Sequence, residues 1–524
     1  IQAQNELEGS TIELFRMGEK GVPEIPDFLY AVMKEGETLS YDGRCVSRAI
    51  TKGLKEKFAG RDLRIRADLD LPGRIWTDRP AMPMNPMFVL DEKLYAGASA
   101  AEKVERLRAE IRKHGGCAYV TSRLDDLMWL YNVRGSDVDY NPVALCNAVI
   151  GDEQHFFVQA GEVTPAVRER FESLGVHLHP YEAFFEHLKA AHFDGKVLYD
   201  RDAASTALTD AVSGSPSEGI ASPLTAMKAQ KDRVEIANLR KAYIEDSAAV
   251  AKMIFWVKQN IGKIPMTEWT VMEKLEGFRR QISDFVELSF ETIAAYGPNA
   301  AMMHYSADSS NAAALKAEGM LLVDSGGQYM RGTTDVTRTF ALGPVTEEMK
   351  KHYTLTAVGA LRLQNAVFLH GCTGRNLDIL ARGPLWAHVI DYKCGTGHGI
   401  GYLLNVHEGP QNIRWKPVEN EAVIEPGMIV SDEPGVYLEG RYGIRIENIL
   451  LAEDYTENGD GRFLHFIPLT FVPLDRDLID VSLLDPSDRK LIDEYHSYVY
   501  DAIAPFLDED EREFVAAQTK PLAV

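Results

Sequence analysis

Residues 320–340 read Met-Leu-Leu-Val-Asp-Ser-Gly-Gly-Gln-Tyr-Met-Arg-Gly-Thr-Thr-Asp-Val-Thr-Arg-Thr-Phe. An apolar run leads to Asp324, a Gly-Gly pair follows, and a stretch rich in Thr, Val and Phe contains Asp335. β-Branched and aromatic residues favour strands and glycines favour turns, so the segment predicts a strand ending at Asp324, a turn and a second strand. This hairpin-like unit would place two carboxylates side by side, although either aspartate alone would more often be a turn residue or a solvated charge.

Three later segments contain a histidine and two glutamates that could join these aspartates. Residues 394–410 read Cys-Gly-Thr-Gly-His-Gly-Ile-Gly-Tyr-Leu-Leu-Asn-Val-His-Glu-Gly-Pro, and the glycines on both sides of His398 permit a close backbone approach to a bound group. Glu433 and Glu447 each lie in an apolar, strand-like pattern, where a charge needs a partner. Arg445 and Glu447 are two positions apart and share a predicted strand face, so a buried ion pair between them is the structural alternative.

Together these segments supply a set of carboxylates and one imidazole. The set is Asp324, Asp335, His398, Glu433 and Glu447. Converging carboxylates repel one another and raise each other's pKa, and one imidazole cannot neutralise them. Two divalent cations can, and an oxygen-rich site with one nitrogen suits ions of the Mn²⁺ type. The sequence therefore predicts a two-metal centre, with Mn²⁺ as the expected ion, that can hold a hydroxide between its metals.

Length and composition limit the possible partners. A chain of 524 residues is too long for one compact core, so two or three domains are expected. With 78 acidic against 56 basic residues, the net charge of −22 repels nucleic acid and anionic membrane surfaces. The five cysteines are scattered, which indicates a reducing compartment and predicts a cytoplasmic protein. No apolar run approaches the ~20 residues that span a bilayer.

Sequence patterns also predict the organisation of the chain. The Pro-rich segment 80–86 and the Ser-, Gly- and Pro-rich segment 213–223 indicate boundaries. Alternating strand and helix patterns between them indicate an α/β domain. Long helices are predicted at 231–259, 346–369 and 486–513, the first with an apolar face at i, i+3, i+4, i+7 spacing. The opening residues read like the middle of a helix, so an N-terminal part of the natural chain is expected to be missing.

Six motifs, in this order, resemble those of the pita-bread metallopeptidases of family M24B, and best the long form of Xaa-Pro aminopeptidase (aminopeptidase P). They are Leu322-Val-Asp-Ser-Gly, Gly332-Thr-Thr-Asp-Val-Thr-Arg-Thr, Gly395-Thr-Gly-His-Gly-Ile-Gly, Asn405-Val-His-Glu-Gly-Pro, Ser431-Asp-Glu-Pro-Gly and Gly443-Ile-Arg-Ile-Glu-Asn. Six matches in order are specific, whereas any one alone would be weak. Segments 75–80, 132–142 and 469–524 resemble other parts of the same long form, so the resemblance covers nearly the whole chain.

The resemblance implies an α/β (α+β) fold, in which creatinase-like N-terminal domains precede a pita-bread catalytic domain with a curved antiparallel sheet and flanking helices. The expected ranges are a partial first domain at 1–86, a second at 87–223, the catalytic domain at 224–470 and its C-terminal extension at 471–524. It also implies a homodimer. The implied activity is removal of the N-terminal residue from peptides with proline at the second position, by attack of a hydroxide that bridges two metal ions.

The resemblance further assigns ligand roles within the predicted centre. Asp324 would chelate one metal, Asp335 and Glu447 would bridge both, and His398 and Glu433 would hold the second.

The same resemblance implies roles in catalysis. Glu433 would also act as the general base, and His304 and His407 would bind the substrate and stabilise the tetrahedral intermediate. Arg445 and Tyr437 would support the metal ligands from behind. For the two histidines, a structural hydrogen bond is the alternative.

One position departs from the family pattern. Many members have a second histidine four residues before the metal-binding one, and here that position is Cys394. A thiol, with a free pKa of about 8.5, is a poorer proton shuttle at neutral pH. We favour a small wall residue at this position, with altered proton transfer or an oxidation-sensitive thiol as alternatives.

Other functions on this fold remain as alternatives. A prolidase would use the same metal set on Xaa-Pro dipeptides, but the extra N-terminal domain and the C-terminal extension favour the aminopeptidase. A non-catalytic binding protein and a metal-free creatinase are less favoured, because the ligand set is complete.

Overall fold

The computed structural model of the chain describes residues 2–522. The first part consists of short helices and a small parallel sheet. Its elements are α1 (Gln2–Glu6), α2 (Ile25–Val32), β1 (Thr38–Ser40), α3 (Arg48–Lys57), β2 (Arg64–Arg66) and α4 (Leu71–Ile75). Side chains set where two of these helices begin, since Ser47 accepts a hydrogen bond from the Ile50 amide in α3 and Asp70 accepts one from the Gly73 amide in α4.

A mixed sheet flanked by helices follows. Its strands lie in the order β10-β9-β4-β6-β7-β8, so β8 is at one end. The elements are β3 (Phe88–Val89), α5 (Ala100–Lys113), β4 (Gly116–Thr121), α6 (Leu124–Tyr131), β5 (Val133–Arg134), β6 (Cys146–Ile150), β7 (Gln154–Val158), α7 (Pro165–Ser173), β8 (Val176–His179), α8 (Phe184–Ala190), β9 (Lys196–Asp200), α9 (Thr206–Ala211) and β10 (Ser217–Ile220). The alternation of strands and helices predicted between segments 80–86 and 213–223 is confirmed.

The remaining part of the chain forms antiparallel sheets surrounded by long helices. Its helices are α10 (Pro223–Ala229), α11 (Arg233–Asn260), α12 (Glu268–Arg279), α13 (Glu347–Gln364), α14 (Gly374–Trp386), α15 (Pro486–Ile503) and α16 (Glu509–Gln518). Its first strands are β11 (Phe285–Leu288), β12 (Ile293–Tyr296), β13 (Met320–Ser325), β14 (Gly327–Tyr329), β15 (Gly332–Thr333), β16 (Val336–Ala341) and β17 (Val367–Leu369). Its later strands are β18 (Gly397–Gly399), β19 (Glu408–Ile413), β20 (Ile429–Asp432), β21 (Gly435–Leu438), β22 (Tyr442–Arg445), β23 (Asn448–Asn458) and β24 (Gly461–Pro468).

Three antiparallel sheets in this part position the site. They have the strand orders β12-β13-β16, β17-β24-β23-β20-β18-β19 and β21-β22. The long helix α11 packs its apolar face against the first of them, and the residues predicted on that face are all buried: Val250, Met253, Ile254 and Val257. Burial of such a face stabilises a helix far more than propensity does.

Three sequence predictions need correction in detail. The strand at 320 runs to Ser325, and its antiparallel partner β16 is reached through β14 and β15, which pair with each other, rather than through a simple turn. β14 also pairs with β11. A Cβ at Gly326 would lie 2.0 Å from the Thr334 carbonyl oxygen, so this crossing needs glycine. The helix predicted to 369 ends at Gln364, and the C-terminal helix divides into α15 and α16 at Pro505.

No helix within residues 2–522 has the length and apolar character required to cross a bilayer.

Candidate metal centre

Five predicted ligands come together at the ends of strands that meet between the sheets. Asp324 lies on β13, Asp335 directly precedes β16, and His398 lies on β18. Glu433 directly follows β20, and Glu447 lies in the short break between β22 and β23. All of them line one cavity of about 610 Å³. We call these five residues the carboxylate centre.

The side-chain distances within the carboxylate centre are short. His398 Nε2 lies 3.6 Å from Asp335 Oδ2 and 3.5 Å from Glu433 Oε1. One ligand atom each from Asp335, His398 and Glu447 lie within 4.8 Å of one another. The His398 Nδ1–H donates to the Gly399 carbonyl oxygen at 2.9 Å, which leaves the Nε2 lone pair facing the carboxylates. Fixing the tautomer through the second ring nitrogen is how proteins prepare a histidine for metal binding.

The electrostatics of the carboxylate centre demand a compensating charge. Burial, and then the neighbouring carboxylates, raise the pKa of both Asp335 and Glu447 well above the ordinary range. Burial raises the pKa of Glu433 to about 7, with Arg445 opposing and Asp324 adding to that rise. Within residues 2–522, Asp324 Oδ1 and Glu447 Oε1 are buried without a hydrogen-bond partner. Buried, unpaired carboxylate oxygens around one imidazole suit divalent cations that prefer oxygen ligands.

Arg445 holds one side of the centre in place. Its Nη2 donates to Asp324 Oδ2 at 2.5 Å, its Nη1 to the Tyr437 hydroxyl at 3.0 Å and its Nε to Thr337 Oγ1 at 3.2 Å. Glu447 instead accepts a hydrogen bond from Thr337 Oγ1 at 2.8 Å. The alternative of an Arg445–Glu447 ion pair is therefore wrong. β22 ends at Arg445 and β23 begins after Glu447, so the two side chains do not share one regular strand face.

His304 and His407 also line the cavity. The His407 ring packs edge-on against the His398 ring, with 4.3 Å between ring centroids and 83° between ring planes. Burial, followed by the neighbouring His398 imidazole, lowers the pKa of His407, so its imidazole is neutral at pH 7. Apolar side chains form another part of the wall: Phe290, Ile293, Met303, Tyr305 and Val406.

Comparison with known proteins identifies the family of this chain. Three family models match in chain order: "Creatinase/Prolidase N-terminal domain" at residues 78–235, "Metallopeptidase family M24" at 237–454 and "C-terminal region of peptidase_M24" at 462–522. A probable Xaa-Pro aminopeptidase P of Laccaria bicolor is 37% identical over 544 residues, covering 100% of this chain and 83% of the relative. The chain belongs to metallopeptidase family M24.

Solved structures agree with this assignment. The X-prolyl aminopeptidase of Caenorhabditis elegans, described as a cytosolic enzyme with a di-nuclear active site, matches with a TM-score of 0.94 and 30% identity, covering 99% of this chain and 87% of that one. A Xaa-Pro dipeptidase of Bacillus anthracis matches with a TM-score of 0.58 and 23% identity, covering 72% and 99% of the two chains, and shows the fold alone. The expected creatinase-like and pita-bread fold of this M24 protein is confirmed, and its four domain ranges stand as our proposal.

Sequence reasoning missed several polar residues that contact the carboxylate centre of this M24 protein. Ser431 Oγ accepts a hydrogen bond from the His398 amide at 2.9 Å and donates to Glu433 Oε1 at 3.1 Å. Thr337 donates a hydrogen bond to Glu447. The Asp-x-Thr pattern at residues 335–337 could have indicated that Thr337 lies on the same face as Asp335. For Asp432 the sequence gives no signal, yet it is buried, and burial followed by the Glu447 charge raises its pKa well above the ordinary range.

Cys394 lies on the wall of the cavity that the carboxylate centre of this M24 protein lines. Burial, with the Glu433 charge adding to it, raises the pKa of its thiol to about 11. The thiol therefore keeps its proton at neutral pH, which suits the wall role and disfavours a reactive thiolate.

Proposed function

We propose that this M24 protein is a two-metal aminopeptidase that releases the N-terminal residue from peptides whose second residue is proline. One observation carries the proposal: the carboxylate centre is complete and faces a cavity large enough for a short peptide. It does so in a chain that matches Xaa-Pro aminopeptidases over its whole length.

Two divalent ions fit the carboxylate centre. Asp324 would hold one ion, His398 and Glu433 the other, and Asp335 and Glu447 both. Such ions, when bound, supply a water of lowered pKa and positive charge opposite a developing oxyanion. Mn²⁺ is the ion we propose, because the ligand set is oxygen-rich with one nitrogen.

Glu433 is the general base of the proposal. Ser431 fixes its Oε1 by a hydrogen bond at 3.1 Å, which positions the carboxylate to accept a proton from a water within the centre. A carboxylate oxygen of Glu433 takes a proton from the water as the water oxygen attacks the first peptide carbonyl carbon. Glu433 then returns this proton to the proline nitrogen as the peptide C–N bond breaks. Arg445 keeps Asp324 oriented throughout, through the hydrogen bond between them.

Substrate recognition falls to the groups around the cavity. His304 and His407 would donate hydrogen bonds to peptide carbonyl oxygens and to the tetrahedral intermediate. The peptide nitrogen of proline has no N–H, so recognition of this residue depends on ring shape and carbonyl contacts. The apolar wall that includes Phe290, Ile293 and Tyr305 offers a surface for the pyrrolidine ring.

The decisive experiment is cleavage-site mapping by mass spectrometry. The purified protein, supplied with Mn²⁺, is offered Arg-Pro-Pro, the matched peptide Arg-Ala-Pro and the dipeptide Gly-Pro. We expect release of free arginine from Arg-Pro-Pro, far slower cleavage of Arg-Ala-Pro and little cleavage of Gly-Pro. Preference for Gly-Pro would make the protein a prolidase, and absence of all cleavage with metal bound would favour a binding protein or a creatinase-like activity.

Two further proposals concern the cellular setting. We propose a cytoplasmic location, supported by cysteines that form no disulfide within residues 2–522 and by the cytosolic description of the Caenorhabditis elegans enzyme. A homodimer is the assembly we propose from the family resemblance, and light scattering on the purified protein tests it.

A further inference from the structure

Three histidines lie together in the first half of the chain, outside the carboxylate centre. His155 is on β7, His179 ends β8 and His187 is on α8. One ring nitrogen from each lies within 4.8 Å of the others. We call these three residues the histidine cluster. Because they come from separate elements, the fold, rather than a local sequence motif, creates this grouping.

The strand register explains how the cluster forms. β7 and β8 pair in parallel, with His155 opposite His177 and Phe157 opposite His179. Residues two apart on a strand share a face, so these four side chains lie on one face of the sheet. α8 packs over that face, with 5.3 Å between the His179 and His187 ring centroids. The result is a group of imidazoles held between the end of a sheet and a helix.

Apolar packing supports the histidine rings from below. The His179 ring stacks on Phe157 with 4.9 Å between centroids, and the His187 ring meets Phe157 edge-on at 5.1 Å. Phe157 itself is buried with Phe184 and Leu188 of α8. The three histidines are only partly buried, so the cluster has a rigid floor and access from solvent. Pre-positioned side chains with an entry path are what a metal site requires.

We propose that the histidine cluster is a second metal site, distinct from the carboxylate centre, that binds Zn²⁺. Zn–N distances of 2.0–2.1 Å in tetrahedral geometry require nitrogens about 3.3 Å apart. His155 Nδ1 and His179 Nε2 are 3.0 Å apart, close to that value. Three neutral imidazoles suit Zn²⁺, Ni²⁺ and Cu²⁺, whereas Mn²⁺ and Mg²⁺ prefer oxygen ligands. Bound zinc would link β7, the end strand β8 and α8.

Two features keep the nitrogen lone pairs available. Burial, and then the neighbouring imidazoles, lower the pKa of His155, and burial lowers those of His179 and His187, so the rings are neutral at pH 7. Glu153 Oε2 lies 3.5 Å from His155 Nε2. A carboxylate at the second ring nitrogen is the usual partner of a histidine that binds metal through the first.

Zinc stoichiometry tests the proposal on the full-length protein. Wild type, His179→Ala and His155→Gln are saturated with Zn²⁺, desalted and measured for zinc by mass spectrometry. His192→Ala serves as the matched control, because its side chain is 92% exposed and outside the cluster. Zinc that enters the carboxylate centre is common to all four proteins. We expect wild type and His192→Ala to retain about one zinc more per chain than either cluster variant. Equal zinc content in all four would overturn the proposal.

Hydrogen exchange localises the same ion. Adding Zn²⁺ should slow amide exchange in residues 176–190 of wild type and of His192→Ala, but not of His179→Ala. Thermal melting of the metal-free proteins shows whether the variants still fold, and His155→Gln provides a milder change if His179→Ala does not. Unchanged exchange in 176–190 of a zinc-saturated wild type would refute the site.

Discussion

The carboxylate centre and the histidine cluster are both groups of metal-ligating side chains, but they differ in composition and depth. The first is buried and mostly anionic, with orphaned oxygens and an internal cation, Arg445. The second is partly exposed, neutral and nitrogen-only. Buried like charges are unstable without a compensating cation, whereas neutral imidazoles at the end of a sheet are not. The two groups should therefore select different ions and depend on metal to different degrees.

The largest expected difference concerns turnover. Glu447→Gln removes a carboxylate from the centre, so we expect kcat/KM on a Xaa-Pro-Yaa peptide to fall by about 10³-fold or more, beyond the 10–100-fold typical of groups that only position ligands. His179→Ala in the histidine cluster should stay within about twofold of wild type, because it lies outside the cavity that contains the reacting groups. Full turnover in Glu447→Gln, with the metal content of wild type, would remove the basis of the comparison.

The second expected effect concerns the internal cation. Arg445→Met leaves the Asp324 carboxylate buried without its partner, which should lower the free energy of unfolding of the metal-free protein by about 3–5 kcal/mol. Urea denaturation after chelator treatment measures this loss. Saturating Mn²⁺ should restore more stability to Arg445→Met than to wild type, because the metal then supplies the missing positive charge. A metal-free variant as stable as wild type would show that Asp324 does not depend on Arg445.

The third expected effect is an opposite response to pH. Folding of the metal-free protein raises the pKa of Glu433 from 4.5 to about 7. The contribution of this group to the free energy of unfolding is therefore fully present below pH 4.5 and is lost as the pH rises towards 7. The loss is at most about 3 kcal/mol. The cluster histidines have lowered pKa values, so their contribution is present above pH 6.5 and is lost as the pH falls.

Urea denaturation of chelator-treated protein between pH 5 and pH 7.5 measures this response. Replacing Glu433 with glutamine should reduce the decline of stability between pH 5 and pH 7, to which Asp335 and Glu447 also contribute. His155→Gln should leave that decline in place. A decline that persists unchanged in Glu433→Gln would assign it to other groups and weaken the account of the carboxylate centre.

The same comparison shows what a sequence can reveal. The carboxylate centre was predictable because each of its residues lies in its own Gly-flanked or strand-end motif. Four carboxylates can also converge in a folded core only if cations neutralise them, which indicates metal binding. The partner of Arg445 was not predictable, since it depends on how closely β13 and β22 approach. The histidine cluster was also missed. Val-His-Leu-His at 176–179 shows the alternation of a strand, but the sequence does not show that this strand pairs in parallel with β7, which is what brings His155 beside it.

The smallest expected effect concerns the thiol at the edge of the carboxylate centre. Cys394 lines the cavity, and its raised pKa of about 11 keeps it neutral, so Cys394→Ala should change kcat/KM by less than about threefold and leave the metal preference unaltered. The measurement is turnover of the metal-free variant reconstituted separately with Mn²⁺ and with Zn²⁺, beside wild type. If the thiol were a ligand, its loss would weaken Zn²⁺ more than Mn²⁺, because sulfur favours the softer ion. A selective loss of zinc-supported activity would therefore mean that the carboxylate centre includes a soft ligand. The carboxylate centre and the histidine cluster would then differ in burial and charge, but not in whether they contain ligands that favour zinc.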